Sequence, residues 1–302
     1  MADIINFLKE LNIEFEENVA GSRLCSFKVG GCVRVLVKPK NVDQLTELYA
    51  FLNENDINNV LLGRGSNIVV SDSGFDGVVV SLSEISKIGL DVTDENCIVA
   101  GAGASMASLA NFAHQNGLTG LEFAHGIPGS VGGGVYMNAG AYGGEISQVL
   151  ESCLAFDMDS GMLCVVDGED CDFSYRHSAF MDYKNLIVLF ATFELKKGNP
   201  DEIKAKMDEY KAKRVASQPL EYPSAGSTFK RPEGHFAGKL IEDCGLKGYT
   251  VGGAQVSEKH AGFVINRGGA TATDIENLIA HIQKTVKEKF DVSLECEIEF
   301  VE

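Results

Sequence analysis

The sequence Leu62-Gly-Arg-Gly-Ser-Asn67 lies between two apolar runs. The first run, residues 60–62, follows Asn59, and the second begins at residue 68. Glycine lets a backbone approach a ligand closely and turn its N–H groups inward. A concave row of such N–H groups binds phosphate, and Arg64 and Ser66 add a positive charge and a hydroxyl. The segment therefore predicts a phosphate-binding loop after a strand, although one G-x-G turn alone is more often only a tight turn.

A second glycine-rich block strengthens this prediction. It reads Gly126-Ile-Pro-Gly-Ser-Val-Gly-Gly-Gly134 and then Asn138-Ala-Gly-Ala-Tyr-Gly-Gly144, with eight glycines in nineteen residues. Two such loops favour a dinucleotide whose diphosphate lies on backbone N–H groups. Neither loop is a Rossmann fingerprint, because the third glycine is missing after Gly63-Arg-Gly65. Residues 234–240 fail as a P-loop, because Leu240 stands where Ser or Thr must bind magnesium.

The pattern of apolar residues around these loops predicts an α+β fold. Helices are expected over residues 3–12, 42–53, 105–116, 201–215, 236–243 and onward from Thr273. Strands are expected over residues 33–39, 59–63, 78–82, 98–100, 150–156, 162–166, 185–195, 249–256, 262–266 and 292–301. Thr273 and Glu276 have the spacing of a capping box. The polar, turn-forming stretch from Lys196 to Pro200 predicts a linker near residue 200.

Composition narrows the kinds of partner. The chain has 302 residues, 45% of them hydrophobic, and a formal net charge of −17. An acidic protein repels nucleic acid and anionic membrane surfaces, so we expect neither as a partner. No apolar run approaches the roughly 20 residues that cross a bilayer. The acidic start of the chain does not have the form of a signal peptide, which favours a cytoplasmic location.

The eight cysteines are scattered and contain no C-x-x-C pair. In a chain of this length without a secretion signal we expect free thiols rather than disulfides. No cluster of residues has the spacing of zinc ligands, so no metal site is predicted.

Several segments, in order along the chain, resemble a known family. Residues 62–78 are similar to the FAD-diphosphate segment of the VAO/PCMH flavoprotein superfamily, and residues 126–143 resemble the second flavin loop of the cell-wall reductase family often called MurB. Three further segments also resemble that family: Tyr175-Arg-His-Ser178, Ser224-Ala-Gly-Ser-Thr-Phe-Lys-Arg-Pro232 and Leu294-Glu-Cys-Glu-Ile-Glu-Phe300. The resemblance covers nearly the whole chain.

The resemblance implies a fold and a reaction. It implies a PCMH-type FAD-binding region over about residues 31–196, made of two α+β subdomains at 1–85 and 86–199, and a substrate-binding domain at 200–302. The family reduces the enolpyruvyl ether of UDP-N-acetylglucosamine to UDP-N-acetylmuramate in peptidoglycan precursor synthesis. The hydride passes from NADPH through non-covalently bound FAD to C3 of the enolpyruvyl group, and C2 receives a proton.

The resemblance also implies site residues, carried over by motif. Flavin contacts are expected from Gly63, Arg64, Gly65, Ser66, Asn67, Gly126, Ile127, Pro128, Gly129, Ser130, Gly133, Asn138, Gly140 and Ala141. The implied catalytic residues are Arg176, Ser227 and Glu297, and their neighbours Tyr175, Lys230 and Arg231 are expected to bind substrate.

The residue types suit these catalytic roles. Hydride addition at C3 builds negative charge on C2 and its carboxylate, and Arg176 offers a planar fork of donors for that charge. Glu297 helps an anion only when protonated, which requires a pKa raised by burial. A serine hydroxyl is a weak acid, so Ser227 donates a proton only to a very basic, carbanion-like carbon. Each residue also has a simpler structural explanation. Arg176 would form a salt bridge, Glu297 would be a solvated carboxylate on a strand, and Ser227 would be a serine in a turn.

Two features depart from the family pattern. Glu299 stands where the family usually has a basic residue, so Glu295, on the same face of the predicted terminal strand, stays an alternative to Glu297. Residues 178–215 contain no insertion of the kind that carries a substrate-closing tyrosine, which indicates the shorter subclass.

Two other functions fit the glycine loops. One is an FAD-dependent oxidase or dehydrogenase of the same fold, for which His125 is the nearest residue that could tether the flavin. The other is a flavin-binding module without catalytic activity. The presence of Arg176, Ser227 and Glu297 argues against both.

Overall fold

Asn41 begins the helix that the sequence predicts over residues 42–53. Its side-chain oxygen accepts a hydrogen bond from the N–H of Gln44 at 2.9 Å, the usual contact of an N-cap. The apolar residues at helical spacing are buried, namely Leu45, Leu48, Tyr49 and Leu52. These observations come from a computed structural model of the protein, which describes residues 2–302.

Helices and strands alternate irregularly along the described residues. The helices are α1 Ala2–Glu10, α2 Val42–Glu54, α3 Met106–Gln115, α4 Val131–Tyr136, α5 Ala179–Asp182, α6 Pro200–Ser217, α7 Ala237–Asp243 and α8 Ala272–Phe290. The strands are β1 Glu14–Ala20, β2 Cys32–Lys38, β3 Asn59–Leu62, β4 Ile68–Val70, β5 Phe75–Ser81, β6 Ile88–Leu90, β7 Cys97–Gly101, β8 Leu118–Thr119, β9 Gly140–Ala141, β10 Gly144–Glu145, β11 Leu150–Asp157, β12 Leu163–Asp167, β13 Leu186–Glu194, β14 Lys196–Lys197, β15 Thr250–Val251, β16 Ala254–Val256, β17 Val264–Asn266 and β18 Glu299–Val301.

The chain folds into two units, each assembled from separate stretches of sequence. The first unit comprises Met1–Glu16, Leu36–Arg64 and Val78–Lys213. The second comprises Glu17–Val35, Gly65–Gly77 and Arg214–Glu302. The division into two flavin-binding subdomains and a substrate domain, at the boundaries given above, stays a prediction.

The first unit is organised around an antiparallel five-stranded sheet with the order β12-β11-β13-β7-β6. Its core is formed by apolar residues of this sheet together with those of α3 and α4, including Ile98, Met106, Leu109, Val131 and Phe193. A four-stranded sheet has the order β1-β2-β5-β3, in which β3 and β5 are parallel. The apolar run 59–62 therefore ends, as predicted, at the first glycine loop.

The second unit packs α7 and α8 with the antiparallel sheet β15-β16-β17. The predicted apolar stripe of α8 is buried, with Ile275, Leu278, Ile279, Ile282 and Val286 in the core. Strand β18 pairs in parallel with β4, which directly follows the first glycine loop.

Four details of the sequence prediction are wrong. The single strand expected over residues 249–256 is a pair of antiparallel strands, β15 and β16. The capping box of α8 is formed by Thr271 and Asp274, not by Thr273 and Glu276. The terminal strand is limited to Glu299–Val301, because residues 292–298 are held mainly by an isolated bridge between Phe229 and Cys296 and by single hydrogen bonds. The predicted linker begins with β14, whose two lysines pair with β8.

Among the residues that the structure describes, no helix is both long enough and apolar enough to cross a membrane. All eight cysteines are present as thiols.

Candidate functional site

The two glycine segments meet within the first unit. A Cβ atom at Gly63 would lie 2.7 Å from Oγ of Ser130, so any side chain there would displace the Ser130 hydroxyl. Ser130 caps α4, and its hydroxyl accepts a hydrogen bond from the N–H of Gly133 at 3.3 Å. Three residues predicted separately as flavin contacts, Gly63, Ser130 and Gly133, are therefore neighbours.

The three consecutive glycines of α4 have different roles. A Cβ at Gly132 would lie 2.9 Å from Cβ of Ala102, and one at Gly134 would lie 2.8 Å from Sδ of Met106, so these two glycines allow α4 to pack on its surroundings. A Cβ at Gly133 would contact only the Ser130 hydroxyl, at 3.3 Å. Gly133 therefore lies on the open side of α4, where a ligand can approach the main chain.

The first loop has the unused donors that a diphosphate requires. Within the part of the chain that the structure describes, the consecutive N–H groups of residues 63–66 donate no backbone hydrogen bond. By contrast, the N–H groups of Val131 and Gly132 in the second loop donate to the carbonyls of Ala104 and Ala102, at 2.8 and 2.9 Å. The N–H groups expected as donors are thus unused by the backbone in the first loop and largely used internally in the second. This donor set and the Gly63–Ser130 approach fit the diphosphate of FAD.

Two predicted flavin contacts, Asn138 and Asn67, also form hydrogen bonds to other protein segments. The Asn138 side chain is fully buried; its Nδ2 donates to the carbonyl of Ser174 at 3.0 Å, and its Oδ1 accepts from the N–H of Ser147 at 3.0 Å. In the second unit, Nδ2 of Asn67 donates to the carbonyl of Glu297 at 2.8 Å. Asn67 thus contacts the main chain of the predicted catalytic residue Glu297, and Asn138 contacts the main chain two residues before Arg176.

Arg176 lies in a tight turn of the first unit. Ser174 and His177 exchange two backbone hydrogen bonds of 3.2 Å, which leaves Tyr175 and Arg176 as the central residues. The guanidinium donates from Nη2 to the carbonyl of Gly140 at 3.0 Å and from Nη1 to that of Asn138 at 3.4 Å. Its Cζ lies 5.0 Å from the ring centroid of Tyr175, a residue that is 48% exposed.

Within the second unit, Thr228 links the main chain beside Ser227 to that of Glu297. Thr228 is fully buried; its carbonyl accepts the N–H of Glu297 at 2.9 Å, and its hydroxyl accepts the N–H of Val264 at 2.9 Å. Ser227, the next residue along the chain, is exposed, and Glu297 is half-buried. Sequence reasoning missed Thr228, although its place inside the Ala225-Gly-Ser-Thr-Phe229 segment was a signal.

The contacts of Glu295 separate it from Glu297. Phe229 and Cys296 form an antiparallel bridge, and the N–H of Lys230 donates to the carbonyl of Glu295 at 2.9 Å. The side chains of Lys230 and Glu295 form an ion pair of 2.6 Å, with 70% of the Glu295 side chain exposed. Glu295 therefore neutralises the predicted substrate-binding lysine. Arg231 lies over the ring of Phe236, with Cζ 4.7 Å from its centroid.

One group of possible metal ligands escaped the sequence search. Ligand atoms of Asp172, His177 and Asp182 lie within 4.8 Å of one another, and Nε2 of His177 is 3.2 Å from Oδ2 of Asp182. Both carboxylates are exposed, a common surface arrangement without an ion.

Comparisons with known proteins show which family the chain resembles. The family model described as "UDP-N-acetylenolpyruvoylglucosamine reductase, C-terminal domain" matches residues 218–301. The model described as "FAD binding domain" matches residues 33–165. The second match contains both glycine segments, and the first contains Ser227 and Glu297.

Curated relatives and a solved structure extend the likeness to the whole chain. A UDP-N-acetylenolpyruvoylglucosamine reductase from Clostridium novyi is 50% identical over 95% of this chain and 92% of that protein. One from Caldanaerobacter subterraneus is 48% identical over 100% of this chain and 99% of that protein. The crystal structure of the Thermus caldophilus reductase (MurB) superposes with a TM-score of 0.81 at 32% identity, covering 96% of this chain and 100% of that one. These matches confirm the predicted α+β class, with its FAD-binding and C-terminal domains. The chain belongs to the UDP-N-acetylenolpyruvoylglucosamine reductase family.

Proposed function

We propose that this chain reduces UDP-N-acetyl-3-O-(1-carboxyvinyl)-glucosamine to UDP-N-acetylmuramate with NADPH, in the cytoplasm, through the roles of Arg176, Ser227 and Glu297 described below. It is an FAD-dependent oxidoreductase of peptidoglycan precursor synthesis, as its family membership shows. The oxidase and the non-catalytic module are disfavoured, because relatives about half identical over nearly the whole chain are reductases.

Bound FAD supplies the hydride that is taken from NADPH and delivered to the substrate. In this proposal the N–H groups of residues 63–66 hold its diphosphate, and Gly63, Ser130 and Gly133 provide the close approach. Arg64, Ser66, Asn67, Gly126, Ile127, Pro128, Gly129, Gly140 and Ala141 complete the proposed flavin-binding residues. Residues 31–196 form the flavin-binding region, and residues 200–302 bind the substrate.

Arg176 stabilises the charge that develops on the substrate. Addition of hydride at C3 places negative charge on C2 and its carboxylate. A guanidinium matches the planar carboxylate with two parallel donors, and the carbonyls of Asn138 and Gly140 fix its orientation before the substrate arrives. Preorganised donors of this kind act without reorganisation at the moment of reaction.

The observation that carries the assignment is the pairing of residues 228–230 with 295–297. Ser227 precedes Thr228 in the sequence, and the Thr228 carbonyl accepts the N–H of Glu297, which supports a shared role for Ser227 and Glu297. Ser227 then donates its proton to C2, and the protonated carboxyl of Glu297 stabilises the anion before that transfer. Tyr175, Lys230 and Arg231 bind the carboxylate or diphosphate of the substrate. To do so, Lys230 gives up its ion pair with Glu295 and pairs with the substrate.

Ser227→Ala tests this division of roles. Flavin reduction by NADPH needs no proton at C2, so its rate should stay near that of the wild type. Reoxidation by the enolpyruvyl substrate should slow by about 10²–10⁴-fold, the usual contribution of a positioned general acid. Stopped-flow absorbance at the flavin band measures both steps.

Ser224→Ala is the matched control, since it removes a hydroxyl from the same segment. It should leave both steps unchanged. Equal slowing of reduction and reoxidation in Ser227→Ala would show a disturbed pocket rather than a lost proton donor. Normal reoxidation would exclude Ser227 as the donor.

A further inference from the structure

The turn that carries Arg176 has a backbone conformation that its sequence does not favour. Arg176 has a φ of 55°, in the left-handed region that residues other than glycine, asparagine and aspartate rarely adopt. The residues around such a position must fix it, and positions of this kind cluster at functional sites. Ser174 and His177 close the turn with two hydrogen bonds, but these fix only its stem.

Asn138 contacts both the stem of this turn and the guanidinium at its tip. Its side-chain Nδ2 donates to the carbonyl of Ser174 at 3.0 Å, while its own main-chain carbonyl accepts Nη1 of Arg176 at 3.4 Å. Its Oδ1 accepts the N–H of Ser147 at 3.0 Å, which fixes the amide group in one orientation. Asn138 itself has a φ of 42°, which asparagine tolerates.

We infer that Asn138 is a positioning residue for Arg176, and that its side chain serves the turn rather than the flavin. The side chain is fully buried and hydrogen-bonded to two protein segments, so neither amide atom is needed for a ligand. Together with the Gly140 carbonyl, which accepts Nη2 at 3.0 Å, residues 138–140 set the orientation of the guanidinium. This inference rests on the proposed role of Arg176 in the reduction.

Asn138→Asp is the sharpest substitution, because it changes one atom of the side chain. The aspartate keeps the acceptor for Ser147 but presents a carboxylate oxygen to the Ser174 carbonyl, where a donor is needed. Reoxidation by the enolpyruvyl substrate should slow by roughly 10–100-fold, the range that follows a small misplacement of a catalytic group. The dissociation constant of FAD, measured by titrating the apoprotein, should change less than threefold.

The pH profile distinguishes positioning from a general loss of structure. A buried carboxyl group has a raised pKa, and in its protonated form it can donate to the Ser174 carbonyl again. The ratio of variant to wild-type reoxidation rates should therefore recover as the pH falls from 8 to 6. A constant ratio over this range, or a loss of FAD affinity as large as the loss of reoxidation rate, would overturn the inference.

A double-mutant cycle with Arg176→Lys shows whether Asn138 acts through the arginine. If it does, Asn138→Asp should slow reoxidation much less in the Arg176→Lys background than in the wild type. Equal effects in both backgrounds would overturn the inference while leaving the role of Arg176 intact. If Arg176→Lys alone leaves reoxidation unchanged, the proposed role of Arg176 fails, and this inference fails with it.

Ser178→Ala is the matched control. The hydroxyl of Ser178 is also fully buried and donates to the carbonyl of Tyr136 at 2.7 Å, so it joins the same two segments away from the turn. This variant should lower the midpoint of thermal unfolding without selective loss of reoxidation. If it reproduces the pH-dependent loss seen with Asn138→Asp, the assignment to Asn138 is wrong.

Discussion

Two glutamates of the last segment differ in their partners, although they are separated by one residue. Glu295 forms an exposed ion pair with Lys230, whereas the main chain of Glu297 is held by Thr228 on one side and by Asn67 on the other. A residue whose backbone is fixed from two sides can present its side chain in a single place. This difference favours Glu297 as the catalytic carboxyl.

Alanine substitutions test this choice directly. Glu297→Ala should slow reoxidation by the enolpyruvyl substrate by roughly 10²–10³-fold, as expected for the loss of one preorganised donor. Glu295→Ala should leave turnover within about threefold, because an exposed ion pair contributes little. Stopped-flow reoxidation and the flavin content of both purified variants are the measurements. A larger loss for Glu295→Ala would reverse the assignment.

The types of residue at the site were predictable from the sequence, but the contacts and hydrogen bonds that hold them in place were not. Glycine at position 63 and serine at position 130 were both recognised as loop residues, but only the fold shows that they touch. Asn67 and Asn138 were predicted as flavin contacts because they lie in flavin-like segments. Their hydrogen-bond partners are far away in sequence, and local patterns contain no information on such pairs.

At the level of elements, the start of α8 is held by a residue from the first glycine segment. Asp72 accepts hydrogen bonds from the N–H groups of Ala272 and Thr273, at 2.8 and 2.9 Å, and from the Thr273 hydroxyl at 2.7 Å. Burial acts to raise the pKa of Asp72, but these hydrogen bonds outweigh it and hold the pKa below its ordinary value. A carboxylate at a helix start also interacts favourably with the helix dipole.

Asp72→Asn should lower the free energy of unfolding by about 1 kcal/mol at pH 7, as the loss of a helix cap does. Because the pKa of Asp72 is lowered in the folded state, its contribution is complete above the unfolded pKa of about 3.9 and is lost as the pH falls through the folded value. Urea unfolding between pH 6 and pH 3 should therefore show the two proteins converging at low pH. Asp76→Asn is the control, since this side chain of the same segment is 81% exposed, and it should have little effect on stability. If Asp72→Asn differs from the wild type by the same amount at every pH, the charge of Asp72 does not stabilise the helix.

The periodicity of the sequence predicted isolated elements well and their exact ends less well. The stripe of α8 was found because five apolar residues repeat at helical spacing. The terminal strand was overextended because Val292–Val301 alternates in polarity, while the neighbouring segments offer a continuous pairing partner only to residues 299–301. Asp72 and α8 are two hundred residues apart, so that cap could not be foreseen.

At the level of the whole molecule, the predicted mode of flavin binding is non-covalent. His125, the nearest candidate for a covalent link, has its Nδ1 buried without a hydrogen-bond partner among the described residues. Desolvation, and then the charges of Lys211 and Lys204, lower its pKa. These lysines belong to α6, which places the imidazole near that helix.

Acid precipitation of the purified protein should therefore leave all yellow colour in the supernatant, as intact FAD. The His125→Ala variant should also bind FAD that is released in the same way. Absorbance of the pellet and supernatant, with chromatography of the released flavin, gives the result. A yellow pellet from the wild type that becomes colourless in His125→Ala would identify a covalent link.

The interleaving of the two units determines when each of them can form during synthesis. Every stretch of the first unit has been translated once residue 213 has left the ribosome, so that unit can fold while the rest of the chain is still being made. Cys25, Phe27, Val29 and Val69 belong to the other core, whose remaining buried members lie between residues 225 and 298. These early apolar residues are translated long before the partners that cover them in the folded protein. Chaperone binding to the nascent chain should accordingly centre on residues 17–35 and 65–77.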